Sequence, residues 1–491
     1  MSDNPANTKQ HTLRLRFSYF SRLHLIHGIL DPVLHAPEFV RCRSALLFTW
    51  ILAIAAQFDH GSASLAQRLR CHGEELSKHV HASGFKSVEI VQGYYISLLS
   101  ATPAETLAEE RSWLYTMYAF GVAAELGLDQ KLYSNHAANY RGPARQNSVP
   151  PGATTRDQDA AYDQRYIRNC ERTWLRIVLW ERANSATHGR IHSFPETSLT
   201  RNVEEWWLHP LADSTDRYTS AFILPRKKLA SLQNKIQEEG QFSQTNPHWI
   251  RHLVDYTLRP WREKWLLHLS DNQYSSTFEH LPDIFLRYVY LHGRLWTLSI
   301  ALHDSATEGR SLVAIRRDCF EAAVSACEVA VRDLQVVGET LYGMLAPTWA
   351  MISYAAILAL NLFPAVHGSK VEDQVELCAL LGQVSMQLER AGKTPSHRFG
   401  IAALLGQHLR RILQVNARKL KEKLQPEVCL TESSNEHQPN FAREETCQTG
   451  LDDSLPSDYS PFLADTLYNP TDDDFAGLFR EIFGTGFGNV F

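Results

Sequence analysis

No Cys-x-x-Cys pair occurs anywhere in this chain of 491 residues. A binuclear zinc cluster needs six thiolates in two such groups, because two zinc ions share bridging sulfurs within a short loop, so no module of that kind is recognisable. The eight cysteines, Cys42, Cys71, Cys170, Cys319, Cys327, Cys378, Cys429 and Cys447, are scattered, the nearest pair being Cys319 and Cys327. That is the usage of a reducing compartment, where free thiols pack as small apolar groups. An excess of positive charge is missing too. Lys and Arg number 49 against 54 Asp and Glu, a net charge of -5, which removes any general attraction to phosphate and leaves DNA contact to a local basic module or a partner. The longest apolar runs, 45–58 and 349–363, are broken by Thr49, Gln57, Ser353 and Asn361 and fall short of the roughly 20 residues that span a bilayer. The N-terminal MSDNPANTKQHTLRLRF lacks the apolar core of a secretory signal. Cytosol or nucleus remains, with no membrane partner expected. Gly-x-Ser-x-Gly and a phosphate-binding loop are absent, and Gly484-Thr485-Gly486-Phe487-Gly488 lies at the wrong end to open a nucleotide-binding fold.

What is present is helical periodicity. Apolar residues recur every three or four positions over 38–58, 64–81, 87–101, 109–126, 225–237, 249–269, 282–305, 310–336, 341–362, 371–391 and 396–424, with almost no alternating strand pattern. An all-α fold follows, a large multi-helix bundle covering about 37–424. Residues 1–36 read as a mobile lead-in with a short helix, where Arg14, Arg16 and Arg22 are too few for a nucleic-acid arm. Pro37 suits a first helical position, and Ser64 is placed to cap the helix after the turn at Asp59-His60-Gly61. Gly127 is placed to stop the helix before it. The polar, Pro- and Gly-rich stretch 134–157 reads as a surface loop, and Trp206 and Trp207 as plugs against the bundle.

The chain is organised around residues 165–190. Tyr166, Cys170, Trp174, Ile177 and Val178 share one helical face, while Arg165, Arg168, Glu171, Arg172 and Arg176 occupy the remainder. This predicts a buried helix with a charged outer face, closed by Gly189. Its string Arg172-Thr173-Trp174, then Glu181-Arg182, then Gly189-Arg190, resembles the signature of the fungal transcription factor domain. This is the middle homology region of zinc-cluster transcription factors, where an Arg-x-Trp helix leads through Asp-Arg to Gly-Arg-Pro. Glu181 stands for the family's Asp and keeps its charge; Ile191 stands for its Pro and removes a helix breaker. The paired helices ending in Leu126-Gly127-Leu128, and the late helix at 341–362, apolar nearly all round, are similar to the family's as well.

The resemblance implies a nuclear regulator of RNA polymerase II transcription whose bundle senses a small-molecule effector or holds an activating segment inactive, alone or as a homodimer or heterodimer. It implies no cofactor within this chain: zinc belongs to an N-terminal DNA-binding module, dropped from this chain by a truncation or supplied by a partner. The alternative is a co-regulator that titrates activators without touching DNA.

Beyond Leu424 the composition changes. Residues 425–461 have the makeup of a disordered linker, and 462–491 form an acidic-aromatic activation segment. From 451 to 481 there are eight acids and one base, Arg480, interleaved with aromatics that the charge keeps available. Phe475, Leu478, Phe479, Ile482 and Phe483 fall at helical spacing, so a short amphipathic helix can lie in a coactivator groove. The competing reading is a tail that docks on its own bundle.

Other constellations carry less. Arg410, Arg411, Arg418, Lys419, Lys421 and Lys423 read either as a nuclear import signal, centred on Arg418, Lys419, Lys421 and Lys423, or as a dipole-stabilised helix end. His72, His79 and His81, and the i,i+4 pair His188 and His192, suggest metal ligands by type only, since Gly189 and Arg190 interrupt the pair and no Glu has the metalloprotease placement. The hypothesis of another class is a serine hydrolase of the Ser-x-x-Lys type. Ser83-Gly84-Phe85-Lys86 fits its first motif, Tyr133-Ser134-Asn135 its second, and His367-Gly368-Ser369 is loosely similar to its third. The third motif needs a strand at the site, and none is predicted. The expectation is a protein that is not an enzyme.

Overall fold

Over most of the described part of the stretches where the sequence repeats apolar residues at helical spacing the chain is helical, and the computed structural model has no strand among the described residues. These are 13–99, 111–130, 155–187, 194–240, 247–266, 281–300, 302, 310–333, 346–368, 370–397 and 400–424. The fold is all-α. A helical run over 13–27, loosened to a π turn at Tyr19–Leu23 and closed by His24–His27, is α1. It is followed by α2 (Pro37–Arg43), α3 (Ala45–Gln57), α4 (Ala63–Ser83), α5 (Val88–Leu99) and α6 (Ser112–Glu125). The long α7 (Thr155–Thr187) leads to two single turns, α8 (Ser198–Arg201) and α9 (Val203–Trp206). Then come α10 (Ser214–Gly240), α11 (Pro247–Trp265), α12 (Leu281–Ile300), α13 (Arg310–Glu328, continued by a π turn at Val329–Asp333), α14 (Ala346–His367), α15 (Val371–Gly392) and α16 (Ile401–Leu424).

Local chemistry sets the breaks. The predicted helix 38–58 is two helices, because Ser44 is extended and its hydroxyl accepts from the Leu47 amide at 3.1 Å, capping α3 afresh. The next helix begins at Ala63, one residue before the serine assigned to its cap; Ser62 occupies the cap position and turns its hydroxyl to Asp59 instead. Gly127 does close α6: at φ 66° its amide bonds the Ala124 carbonyl and the Leu128 amide bonds that of Ala123, a Schellman ending over a buried Leu128. Pro225, predicted to open a helix, lies inside α10, where the buried run Ala221 to Leu224 outweighs one lost backbone bond. The stretch predicted as a loop up to residue 157 is already helical at Thr155.

Two larger expectations are corrected. The lead-in is core from early on: Leu15, Tyr19, Leu23, Ile26, Ile29 and Leu30 are all buried. The face of α7 expected to point outward points inward, since Arg168, Arg172 and Arg176 are 2, 0 and 1% exposed.

In the N-terminal half, α3 is buried along nearly its whole length between α2, α4 and α5. In the C-terminal half, α14 packs on α13, α15 and α16, while α12 packs on α10, α11 and α13. Among the described residues α14 is the one helix long and apolar enough to cross a membrane; most of it is buried among its neighbours, which accounts for its apolar character. Helix α7 touches α5 and α6 on one side and α10 and α14 on the other, and so joins the halves.

Candidate functional site: a buried arginine ladder and its cavity

Arginines at 165, 168, 172 and 176 climb one side of α7, each three or four residues from the next, so their side chains stack along the axis. Asp216, near the start of α10, faces the middle of the ladder. Arg172 grips it with two bonds, Nε to Oδ1 at 2.6 Å and Nη2 to Oδ2 at 2.9 Å. Arg168 adds Nη2 to Oδ2 at 3.1 Å, donates to the Trp206 carbonyl at 2.8 Å, and lies over the Trp206 ring at 3.4 Å. That ring's N–H donates to Glu171 at 2.9 Å. From the other side comes Asp31, just after α1. It accepts from Arg165 at 3.0 Å and from Arg172 at 3.5 Å, while the Val33 and Leu34 amides cap its Oδ1. Burial alone would raise the Asp31 carboxyl, but Arg172, the Leu34 amide and Arg165 outweigh it and hold it below its ordinary value. Burial likewise works against the Arg172 cation, and the bonds to Asp216 outweigh it, leaving Arg172 above the usual guanidinium value.

Arg176 is different. It donates to the carbonyls of Ile26 (2.9 Å) and Thr215 (3.4 Å), reaches no carboxylate, and burial pushes it below its ordinary value. It lines a cavity of about 30 Å³ between α1, α5, α7, α10, α12 and α14, with walls from Leu179, Phe222, Phe285 and Val289. The same cavity holds Arg226, half-buried and without any hydrogen bond or ion pair among the described residues, which burial pushes down to about 10. Arg226 still carries its charge at neutral pH, and with burial it holds nearby His292 down to about 3. A space of this size takes one or two waters or a very small molecule, well under the several hundred Å³ of a pocket for a drug-sized ligand.

No family model matches the chain, and no solved structure matches it. The chain is similar to Protein priB of Lentinula edodes. The two are 23% identical over 347 residues, covering 70% of this chain and 53% of priB, so the chain spans about half the length of that relative. The aligned length is long enough to hold most of the bundle; at this identity it makes priB a distant homologue from a fungus and goes no further.

The signature residues fall as follows. Arg172 is the centre of the ladder. Trp174 is buried on the opposite side of α7 beside Phe120 and Phe194, which stack at 3.7 Å. Glu181 and Arg182 are buried between the cavity-lining residues Trp180 and Ala183 of α7, and Arg182 bonds Glu196 at 3.1 Å, a carboxylate shared with Lys227. Gly189 and Arg190 lie outside the described residues, as do His188, His192 and the activation segment with Phe475, Leu478, Phe479, Ile482 and Phe483. Arg410, Arg411, Arg418, Lys419 and Lys421 are exposed on α16, and Lys423 lies in its last turn. Ser83, the final residue of α4, is exposed, and the Lys86 ammonium pairs with Glu125. His367 ends α14, stacked on Phe363 and 3.2 Å from Asp373, while Tyr133, Ser134, Asn135 and Ser369 lie outside the described residues. The described members of the hydrolase motifs therefore sit at the ends of different helices. Among the described residues, no group of three or more His, Cys, Asp and Glu is arranged to hold a metal.

Asp31, Asp216 and Arg226 carry no local signal in the sequence, while Trp206, expected as a plug, is buried and also stacks under Arg168. Asp216 is 44 positions from Arg172 and Asp31 is 141 away, so nothing local announces either pair. One signal was present: arginines at 168, 172 and 176 keep strict four-residue spacing, more regular than a merely solvated face requires.

Proposed function

We propose that the chain regulates RNA polymerase II transcription in the nucleus, as the regulatory and activating portion of a zinc-cluster-type factor that works through protein contacts. One observation carries this reading. Arg172, Trp174, Glu181 and Arg182, four of the residues by which the chain resembles the fungal transcription factor domain, are all buried on α7, which touches helices of both halves. Residue types at such positions are tied to the fold around them, and that is what a string shared with a domain family requires. Coactivators are the partners of the acidic-aromatic segment, whose aromatics enter a groove while its acids keep it soluble. DNA is reached through a zinc-cluster module or a partner, and the exposed basic end of α16 serves import. A co-regulator that titrates activators is the same protein without the DNA-reading partner.

The test is a fusion of residues 452–491 to a foreign DNA-binding domain. Reporter output should rise well above that of the domain alone and fall to background with Phe479→Ala plus Phe483→Ala. Output unchanged by the double substitution removes the claim. Labelling of Ser83 by an acyl-phosphonate probe would overturn the assignment in favour of a hydrolase.

A further inference from the structure

Two guanidinium groups line one small cavity, and neither meets an acid. The three fully buried arginines of α7 share two fully buried carboxylates, Asp31 and Asp216, and both are taken up at the Arg165 to Arg172 end. Arg176 is left with backbone carbonyls and the neutral Tyr95 hydroxyl, and its buried Nε has no hydrogen-bond partner among the described residues. Across the same space Arg226 has no acceptor at all among the described residues. A cation withdrawn from water without a counter-ion is costly, and the cost is relieved when an anion enters.

We infer that this cavity binds a small monocarboxylate, of acetate or propionate size, with its carboxylate between Arg176 and Arg226 and its alkyl end against Phe222, Phe285 and Val289. Guanidinium groups suit a planar carboxylate because their paired N–H donors match its two oxygens. Beyond the two guanidinium groups the lining offers only the Thr348 and Tyr95 hydroxyls, no further charge to match a dianion such as phosphate, and the volume of about 30 Å³ excludes anything much longer. The site is independent of the transcription reading, and its test uses no activation readout.

The experiment is thermal unfolding of the full chain in sodium propionate, against sodium chloride at equal ionic strength and 1-propanol at equal concentration. For a millimolar site, propionate at about 20 mM raises Tm by about 2 °C, while chloride and the alcohol leave it in place. Arg226→Met keeps the length of the side chain and removes the charge, and should abolish the shift; Arg226→Gln serves as a second uncharged variant. Arg226→Lys keeps part of it. The inference is overturned by the absence of a shift in the wild type, by an equal shift with chloride or 1-propanol, or by a propionate shift that survives in the uncharged variants.

Discussion

Arg176 shows how tightly single residues are bound to one another in this core. Its guanidinium lies against the backbone of Gly28, where a Cβ would stand 1.8 Å from Nη2, and Gly28 itself has φ 52°, which side chains other than glycine's rarely adopt. Both facts act against Gly28→Ala. The substitution should lower the stability of the full chain by about 3 kcal/mol, from strained backbone plus displacement of Arg176 from the Ile26 carbonyl. The midpoint of urea unfolding is the measure, and a loss under about 1 kcal/mol would show that Arg176 moves aside freely. The residue scale is also where the sequence was least legible. The i,i+4 arginines were visible, but their direction was not, because burial of charge depends on acids supplied from Asp31 and Asp216, far along the chain.

At the scale of elements, α1 carries a pH dependence. His27 is 2% exposed, and burial first, then Arg176 and His24, hold it down to about 3 against an ordinary 6.5. It folds neutral, so below pH 6.5 the unfolded chain takes up a proton that the folded chain refuses. Stability is therefore full above 6.5 and falls as pH drops toward 3. Between pH 7 and pH 5, His27 alone accounts for about 2 kcal/mol. Unfolding midpoints at the two pH values measure it, and His27→Gln should flatten the difference by that amount; an unchanged slope contradicts the burial of α1. This helix was legible in part. Leu15, Tyr19 and Leu23 repeat every four residues, but the interleaved Arg14, Arg16 and Arg22 made the stretch look solvated. Helices with clear apolar periods, such as α3 and α4, were legible as elements, and their first residues were not, because Ser44 and Ser62 act through hydrogen bonds that sequence alone does not orient.

For the whole molecule, the all-α class was legible because it follows from a period repeated over many helices. The role of α7 as the joint between halves was legible only as a stretch whose residue order resembled a known signature. What the sequence hid was the reason for that order: a charged face turned inward, locking α1 and α10 to α7 through Asp31 and Asp216. Asp216→Ala tests this most directly, with thermal unfolding of the full chain followed by tryptophan fluorescence and far-UV circular dichroism together. Leaving Arg168 and Arg172 buried without their acid should cost about 4 kcal/mol, which lowers Tm by about 5 °C for a bundle of this size. The two signals should move together in wild type and variant, as one cooperative unit. A Tm within about 1 °C of wild type, or a wild type whose two signals melt apart, would contradict an arginine ladder that holds the halves together.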